Sequence, residues 1–166
     1  MKTKAAQLGM LLGVALILSY VESLIPFAFG IPGMKLGLPN AAILIVLFLF
    51  GWKEALAINV LRIVVSGFLF GSMFGILFSL TGAIVSFVVM CIAKRLDIFS
   101  IKGVSICGGV SHNIGQMLVA VYVVKTSGIL YYLPVLMVGG IITGVLIGII
   151  SENIIPRIRG ELIKNA

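Results

Sequence analysis

The sequence is poor in charged residues and very poor in acidic ones. Only 10% of its 166 residues are charged, and aspartate and glutamate together number five, with Asp97 the single aspartate. Magnesium–phosphate chemistry needs several carboxylates, and the phosphate loop of nucleotide hydrolases needs a glycine-rich motif that ends in lysine. Neither pattern is present, and no Ser-His-acid or Cys-His set can be assembled. The sequence therefore predicts a protein that is not an enzyme and has no catalytic residues.

Metal-ligating residues are equally scarce. His112 is the single histidine, and Cys91 and Cys107 are the two cysteines. They form no CxxC pair and show no spacing typical of a metal site. The cysteines are interpreted as small core residues, and neither a metal nor a cofactor is predicted.

Apolar residues dominate the composition. They make up 61% of the chain, and the mean hydropathy is +1.27, whereas soluble domains are about half apolar and a quarter charged. We therefore predict an all-α integral membrane protein, a single domain over residues 1–166 built as a compact bundle of six transmembrane helices. The predicted helices cover about 5–25, 34–50, 55–70, 73–93, 104–124 and 130–150, and a cytoplasmic tail covers 151–166.

The N-terminal segment resembles a signal peptide at first sight, because Lys2 and Lys4 precede an apolar run. No small-residue cleavage site follows it, and five more apolar segments do, so the segment is interpreted as a retained first helix.

Basic residues indicate the orientation of the bundle. Nine lysines and arginines fall in segments that would be cytoplasmic if the N-terminus is inside, whereas only Lys35 and Lys125 fall in the outer loops. The positive-inside rule then places both termini in the cytoplasm, and it accounts for the net charge of +7 without a nucleic-acid partner. The nine residues are Lys2, Lys4, Lys53, Lys94, Arg95, Lys102, Arg157, Arg159 and Lys164.

The fifth segment carries a stripe of small and polar residues. At spacings of three and four, one helix face presents Ser105, Gly108, Gly109, His112, Gly115 and Gln116, with Asn113 beside it. Exposure of such a stripe to lipid is costly, so it must face other helices or a wet cavity. A buried histidine is often only a hydrogen-bonded core residue. The alternative is that His112, Asn113 and Gln116 bind a ligand.

Arg62 lies near the predicted middle of the third segment, about 12 Å along the helix from Glu54. Asn59 and Ser66 share its face. A guanidinium keeps its proton, so it must find a carboxylate, carbonyls, water or an anionic ligand. Pairing with Glu22, the single acidic residue inside a predicted span, and contact with a ligand both remain open.

The first outer connection contributes two further candidates. Its prolines and glycines predict a defined, non-helical course from residue 26 to the start of the second segment. Lys35 lies where this loop enters that segment, and Asn40 lies at the irregular helix start. Lys35 is either an interfacial lysine or, with Arg62 and His112, part of a cationic site for an anionic or strongly polar ligand.

Small residues also predict helix contacts. Ala5, Gly9 and Gly13 recur at intervals of four on the first segment, as do Gly140, Gly144 and Gly148 on the last. Such stripes let backbones approach closely. They are interpreted as packing within the bundle, with docking of another subunit as the alternative.

Several of these motifs together resemble the bacterial Gx transporter family, which is also labelled heptaprenyl diphosphate synthase component I. The resemblance rests on Pro32–Asn40, Gly51–Ala55, Leu61-Arg62 with Ser66-Gly67, and Gly109–Gln116, and it covers nearly the whole chain. That family is similar to the substrate-binding S components of energy-coupling factor transporters. The resemblance implies a six-helix protein of the bacterial cytoplasmic membrane that works with a transmembrane coupling subunit and ATPases. It also implies that Ala5, Gly9 and Gly13 dock on that subunit.

The predicted function is capture of a small polar or anionic molecule from outside by an importer subunit. Its ligand-binding residues would be Glu22, Lys35, Asn40, Arg62, His112, Asn113 and Gln116. The alternative is a non-catalytic membrane accessory protein of polyprenyl diphosphate or quinone metabolism. A self-sufficient secondary transporter is disfavoured, because no internal repeat or carboxylate relay is visible.

Overall fold

The computed structural model describes residues 2–24, 37–125 and 127–164. Its elements are six α-helices and one short 3₁₀ helix, Ser127–Tyr132, which precedes the last α-helix. The α-helices are α1 (Lys2–Leu24), α2 (Leu38–Leu49), α3 (Trp52–Phe70), α4 (Met73–Arg95), α5 (Ile101–Val124) and α6 (Leu133–Lys164).

The protein is a multi-pass membrane protein with an all-helical fold in its described part. Where six spans are predicted, four of the described helices (α1, α4, α5 and α6) are long and apolar enough to cross a membrane. Helix α2 is apolar but has only 12 residues, and α3 carries Lys53, Glu54 and Arg62. A helix needs about 20 apolar residues to span the hydrocarbon, so α2 and α3 fall short for different reasons.

The observed helix ends differ from the predicted ones mainly at polar residues. Helix α3 begins at Trp52 and α5 at Ile101, because hydropathy marks only the apolar part of a helix. The side chain of Ser100 caps α5 by accepting a hydrogen bond from the N–H of Gly103 at 3.3 Å.

The predicted tail is the largest difference. Helix α6 does not end near residue 150 but continues to Lys164, with Pro156 inside it. Ser151 and Ile155 are buried, so this continuation has one face packed on the core rather than extending as a free tail.

The helices form a closed ring around a central space. Helix α5 packs between α4 and α6, α3 joins α4 on one side, and α2 joins α6 on the other. Helix α1 contacts both α2 and α3 and so closes the ring. Helix α2 is the most enclosed element, and its side chains at Ile43, Leu44, Val46 and Leu47 are almost fully buried.

Glycines bring α5 and α6 into backbone contact. A Cβ on Gly144 would lie 2.7 Å from the Cα of Ile106, and one on Gly109 would lie 2.4 Å from the carbonyl oxygen of Gly140. A Cβ on Gly148 would likewise meet Lys102 at 2.7 Å. Because no side chain fits there, the predicted packing role of the α6 glycines is confirmed.

Four segments rich in basic residues meet at one end of the bundle. Ion pairs of 2.7 Å join Lys4 to Glu54 and Lys102 to Glu152. At the same end, Lys94 donates to the carbonyl of Leu47 at 2.6 Å, and Arg159 donates to the carbonyl of Phe48 at 3.4 Å. The start of α1, the α2–α3 turn, the α4–α5 connection and the end of α6 therefore lie together.

Replacement of Gly144 by alanine should destabilise the bundle by about 1–3 kcal/mol, because the new methyl group meets backbone atoms of α5 that cannot move aside. The measurement is the free energy of unfolding by denaturant in mixed micelles. Gly160→Ala is the matched control on the same helix, where a Cβ meets no atom within 4 Å. It should leave the stability unchanged or raise it by up to about 1 kcal/mol. Equal effects of the two variants would contradict the packing assignment.

Candidate functional site

A cavity of about 310 Å³ lies inside the ring and is lined by residues of all six helices. Its volume is at the lower end of the range for small-molecule sites. It extends from the end of α1 and the α3–α4 connection, where Glu22 and Gly71 line it, to the level of Ser86 and Ser105. The cavity thus reaches the end of the bundle that lies opposite the basic end.

Arg62 is the charged group at the centre of this cavity. Its side chain is 8% exposed, and Nη2 donates to Oδ1 of Asn59 at 2.6 Å and to Oδ1 of Asn40 at 3.4 Å. The Nε atom is buried and has no hydrogen-bond partner in the described part of the chain. The guanidinium of this lining residue therefore retains one donor that no described group uses.

Amide oxygens solvate the guanidinium in this structure. Asn59, one turn before Arg62 on α3, is itself 4% exposed. Asn40 is brought in by the first turn of α2, whose N-cap, Gly37, has a φ of +71° that favours glycine. Asn59 is not among the predicted site residues, although its spacing of three from Arg62 indicates the contact.

Glu22 lines the same cavity and accepts a hydrogen bond from the backbone N–H of Gly37. Within the residues that the structure describes, the ion pairs are those of Lys4 with Glu54 and of Lys102 with Glu152. The direct hydrogen bonds of Arg62 go to Asn59 and Asn40. Of the two predicted alternatives, a direct pair of Arg62 with Glu22 is thus absent from the described contacts.

Helix α5 contributes His112 and Asn113 to the cavity lining. Asn113 Nδ2 donates to the carbonyl of Leu136 at 2.6 Å, so this amide also ties α5 to α6. Gln116 is buried but is not among the lining residues, and its Cγ would lie 2.8 Å from a Cβ on Gly82. Gln116 therefore packs in the α4–α5 contact, one turn beyond the cavity.

The structure thus brings five predicted ligand-binding residues to one cavity. Lys35 lies outside the described residues. The five are Glu22, Asn40, Arg62, His112 and Asn113.

The hydroxyl groups of the lining are not among the predicted ligand-binding residues. They come from five helices and each is common in membrane helices, so no local sequence signal distinguishes them from packing residues. They are Ser19, Ser23, Ser66, Ser79, Ser86, Ser105 and Thr143.

The small-residue stripe of α1 lies elsewhere and is open. Ideal Cβ atoms on Gly9 and Gly13 would meet nothing within 4 Å, and Ala5 is exposed. The predicted packing of this stripe against the bundle is wrong for the described residues. The reason is that α1 packs through another face, on which Leu11 and Ala15 are buried.

The arrangement is suited to binding. Among the described residues no three histidine, cysteine or acidic side chains lie together as metal ligands, and Cys91 and Cys107 are free thiols. The cavity offers one permanent cation, amides and hydroxyls, which hold a polar molecule by charge and hydrogen bonds.

One protein-family model matches the chain over residues 11–154, and its description is heptaprenyl diphosphate synthase component I. No curated protein and no solved structure matches.

Asn59→Ala removes an acceptor of the Arg62 guanidinium and should lower the free energy of unfolding by about 1.5–3 kcal/mol, because hydrogen bonds to charged groups contribute that much. In the Arg62→Met background, Asn59→Ala should cost less, with a coupling energy of at least about 1 kcal/mol. The double-mutant cycle is measured by denaturant titration in mixed micelles. Additive effects would show that Asn59 does not solvate the guanidinium.

Proposed function

The chain belongs to the heptaprenyl diphosphate synthase component I family, and because this name gives no residue a role, we propose a function from the residues that line the cavity. The protein is a membrane-embedded, non-catalytic binding subunit of an importer, and it captures a small polar or anionic molecule from outside. The observation that carries this proposal is the buried Arg62 guanidinium with an unused Nε donor beside a closed-ring cavity.

A buried cation without a bonded carboxylate favours an anionic ligand. Amide oxygens solvate Arg62 but supply no negative charge, and the electrostatic cost of a charge inside a membrane bundle is high. An anionic group of a ligand that accepts from the guanidinium would bring a negative charge into direct contact with it. A ligand bound there would be oriented by Asn40, His112 and Asn113 from the facing helices.

The distribution of charge supports access from outside. The basic end, with Lys94, Lys102 and Arg159, would lie at the cytoplasm by the positive-inside rule. The end of the cavity that Glu22 and Gly71 line would then be the outer one, from which the ligand would enter. This orientation would place both termini in the cytoplasm, as the loop charges predict.

The open stripe of α1 supports a partner in the membrane. Ala5, Gly9 and Gly13 present a smooth surface with nothing against it in the described chain, and such surfaces let a second helix approach closely. We propose that a transmembrane coupling subunit, associated with ATPases, docks there. ATP would be used by those partners.

A second candidate is favoured by the family name. As a non-catalytic component of polyprenyl diphosphate or quinone metabolism, the protein would bind a lipid headgroup with Arg62. The prenyl chain would then have to leave the cavity of about 310 Å³ and lie against the apolar outer surface.

Replacement of Arg62 by alanine should abolish ligand retention in a bundle that still folds, because the only permanent cation in the described lining is lost. Mass spectrometry of molecules released from gently purified wild type and variant measures this. A polar anion lost in the variant supports capture. A polyprenyl diphosphate or quinone present in both samples favours the second candidate, and an unchanged polar ligand refutes the cavity assignment.

Leucine at Gly13 should leave the unfolding temperature and the bound ligand unchanged, since the position is open, yet it should prevent association with the coupling subunit in native membranes. Co-purification of that subunit and its ATPases measures the effect. Gly160→Leu, also at an open glycine but on α6, is the control. Loss of stability in Gly13→Leu would instead indicate that the stripe packs against other helices of the bundle.

A further inference from the structure

Five of the seven hydroxyl groups of the cavity lining already donate to backbone carbonyls. Ser19 donates to the carbonyl of Ala15 at 2.8 Å, Ser86 to that of Gly108 at 2.8 Å, and Thr143 to that of Gly139 at 3.0 Å. Two further lining hydroxyls, of Ser23 and Ser66, donate to backbone carbonyls in the same way. A hydroxyl has one hydrogen and two lone pairs, so each of these groups can offer a ligand only an acceptor.

The permanent cation of the described lining is Arg62, whose Nε has no hydrogen-bond partner among the described residues. The side-chain amides of Asn40 and Asn113 add N–H donors to the lining, and Asn40 Oδ1 accepts from Nη2 of Arg62. Glu22 adds a carboxylate, which accepts hydrogen bonds when ionised. The five hydroxyls therefore give the cavity a surface of acceptors on α1, α3, α4 and α6, in addition to the cation of Arg62.

We infer that the ligand is a small acid with one anionic group that also carries amino or hydroxyl donors. This inference rests on the proposed capture function and deepens it. The anionic group binds at the Nε side of Arg62, and the donor groups face the oxygens of Ser19, Ser86 and Thr143. A ligand without such donors would desolvate these oxygens and leave them unpaired, which costs affinity.

A lining with one permanent cation and many acceptors disfavours a diphosphate group. A diphosphate presents acceptors on every side and carries more than one negative charge. In the described lining it would meet one permanent cation, and the five hydroxyls would offer it only further acceptors. Its second negative charge would have no permanent cation of the described lining to pair with, and the oxygens that face the hydroxyls would be desolvated without a donor.

The test is stabilisation of the purified protein in lipid nanodiscs by matched acids. The probes are propionate, its hydroxy acid lactate and its amino acid alanine, and longer acids in the same sets of three. Inorganic diphosphate and a polyprenyl diphosphate complete the panel. The rise in unfolding temperature against concentration gives each affinity. We expect the hydroxy or amino member of a set to bind more tightly than its parent acid and than either diphosphate.

Removal of a single hydroxyl tests which part of the cavity binds the donor groups of the ligand. Thr143→Val keeps the side-chain shape and should weaken binding of a hydroxy or amino acid about two- to tenfold, with no loss for the parent acid. Thr81→Val is the matched control. Its hydroxyl is also bonded to a backbone carbonyl, that of Leu77 at 3.0 Å, but Thr81 does not line the cavity.

The outcomes separate this inference from the proposed function. Tighter binding of either diphosphate, or of the parent acids, overturns the donor requirement while Arg62-dependent binding still supports capture. Binding that is unchanged in Arg62→Met overturns the cavity assignment itself. A panel in which no acid binds counts against both.

Discussion

The fold of this protein is organised around a guanidinium that cannot lose its proton. Arg62 is buried inside a ring of helices, where an unsolvated charge would be strongly destabilising. Asn59 reaches it from one turn earlier on α3, and Asn40 reaches it because α2 begins at the level of the cavity. The amide of Asn40 in the first turn of an otherwise apolar helix therefore has a physical reason, since an apolar side chain there would offer the guanidinium no acceptor.

Close backbone contact joins α5 and α6 in one part of the ring. Because Gly109, Gly140 and Gly144 let α5 and α6 touch, these two helices form a narrow wall. Polar atoms of that wall, including the carbonyl of Leu136 bound by Asn113, are then used to hold the helices together. Helix packing and the chemistry of the lining thus depend on the same few residues.

The sequence predicts the fold class and much of the cavity lining. It does not predict which polar residues hold the helices together instead of, or in addition to, lining the cavity. Hydropathy locates all six helices, because apolar runs are a direct consequence of the lipid environment. It fails at the end of α6, where an amphipathic face packs against the core. Spacing places His112, Asn113 and Gln116 together, yet one turn of helix separates Gln116 from the cavity. The seven hydroxyls could not be predicted, because their convergence depends on how five helices are arranged in space.

The bonds from Lys94 and Arg159 to the end of α2 have a consequence for how membrane topology is measured. Helix α2 stops after 12 residues, and the carbonyls of Leu47 and Phe48 near its end accept from these two cations. The same charges that would orient the chain by the positive-inside rule thus also solvate the end of a short helix. Moving charges between loops, the usual way to invert a membrane protein, would therefore leave those carbonyls without these donors. In this protein, an inverted topology and an unfolded α2 would have to be distinguished before either was inferred.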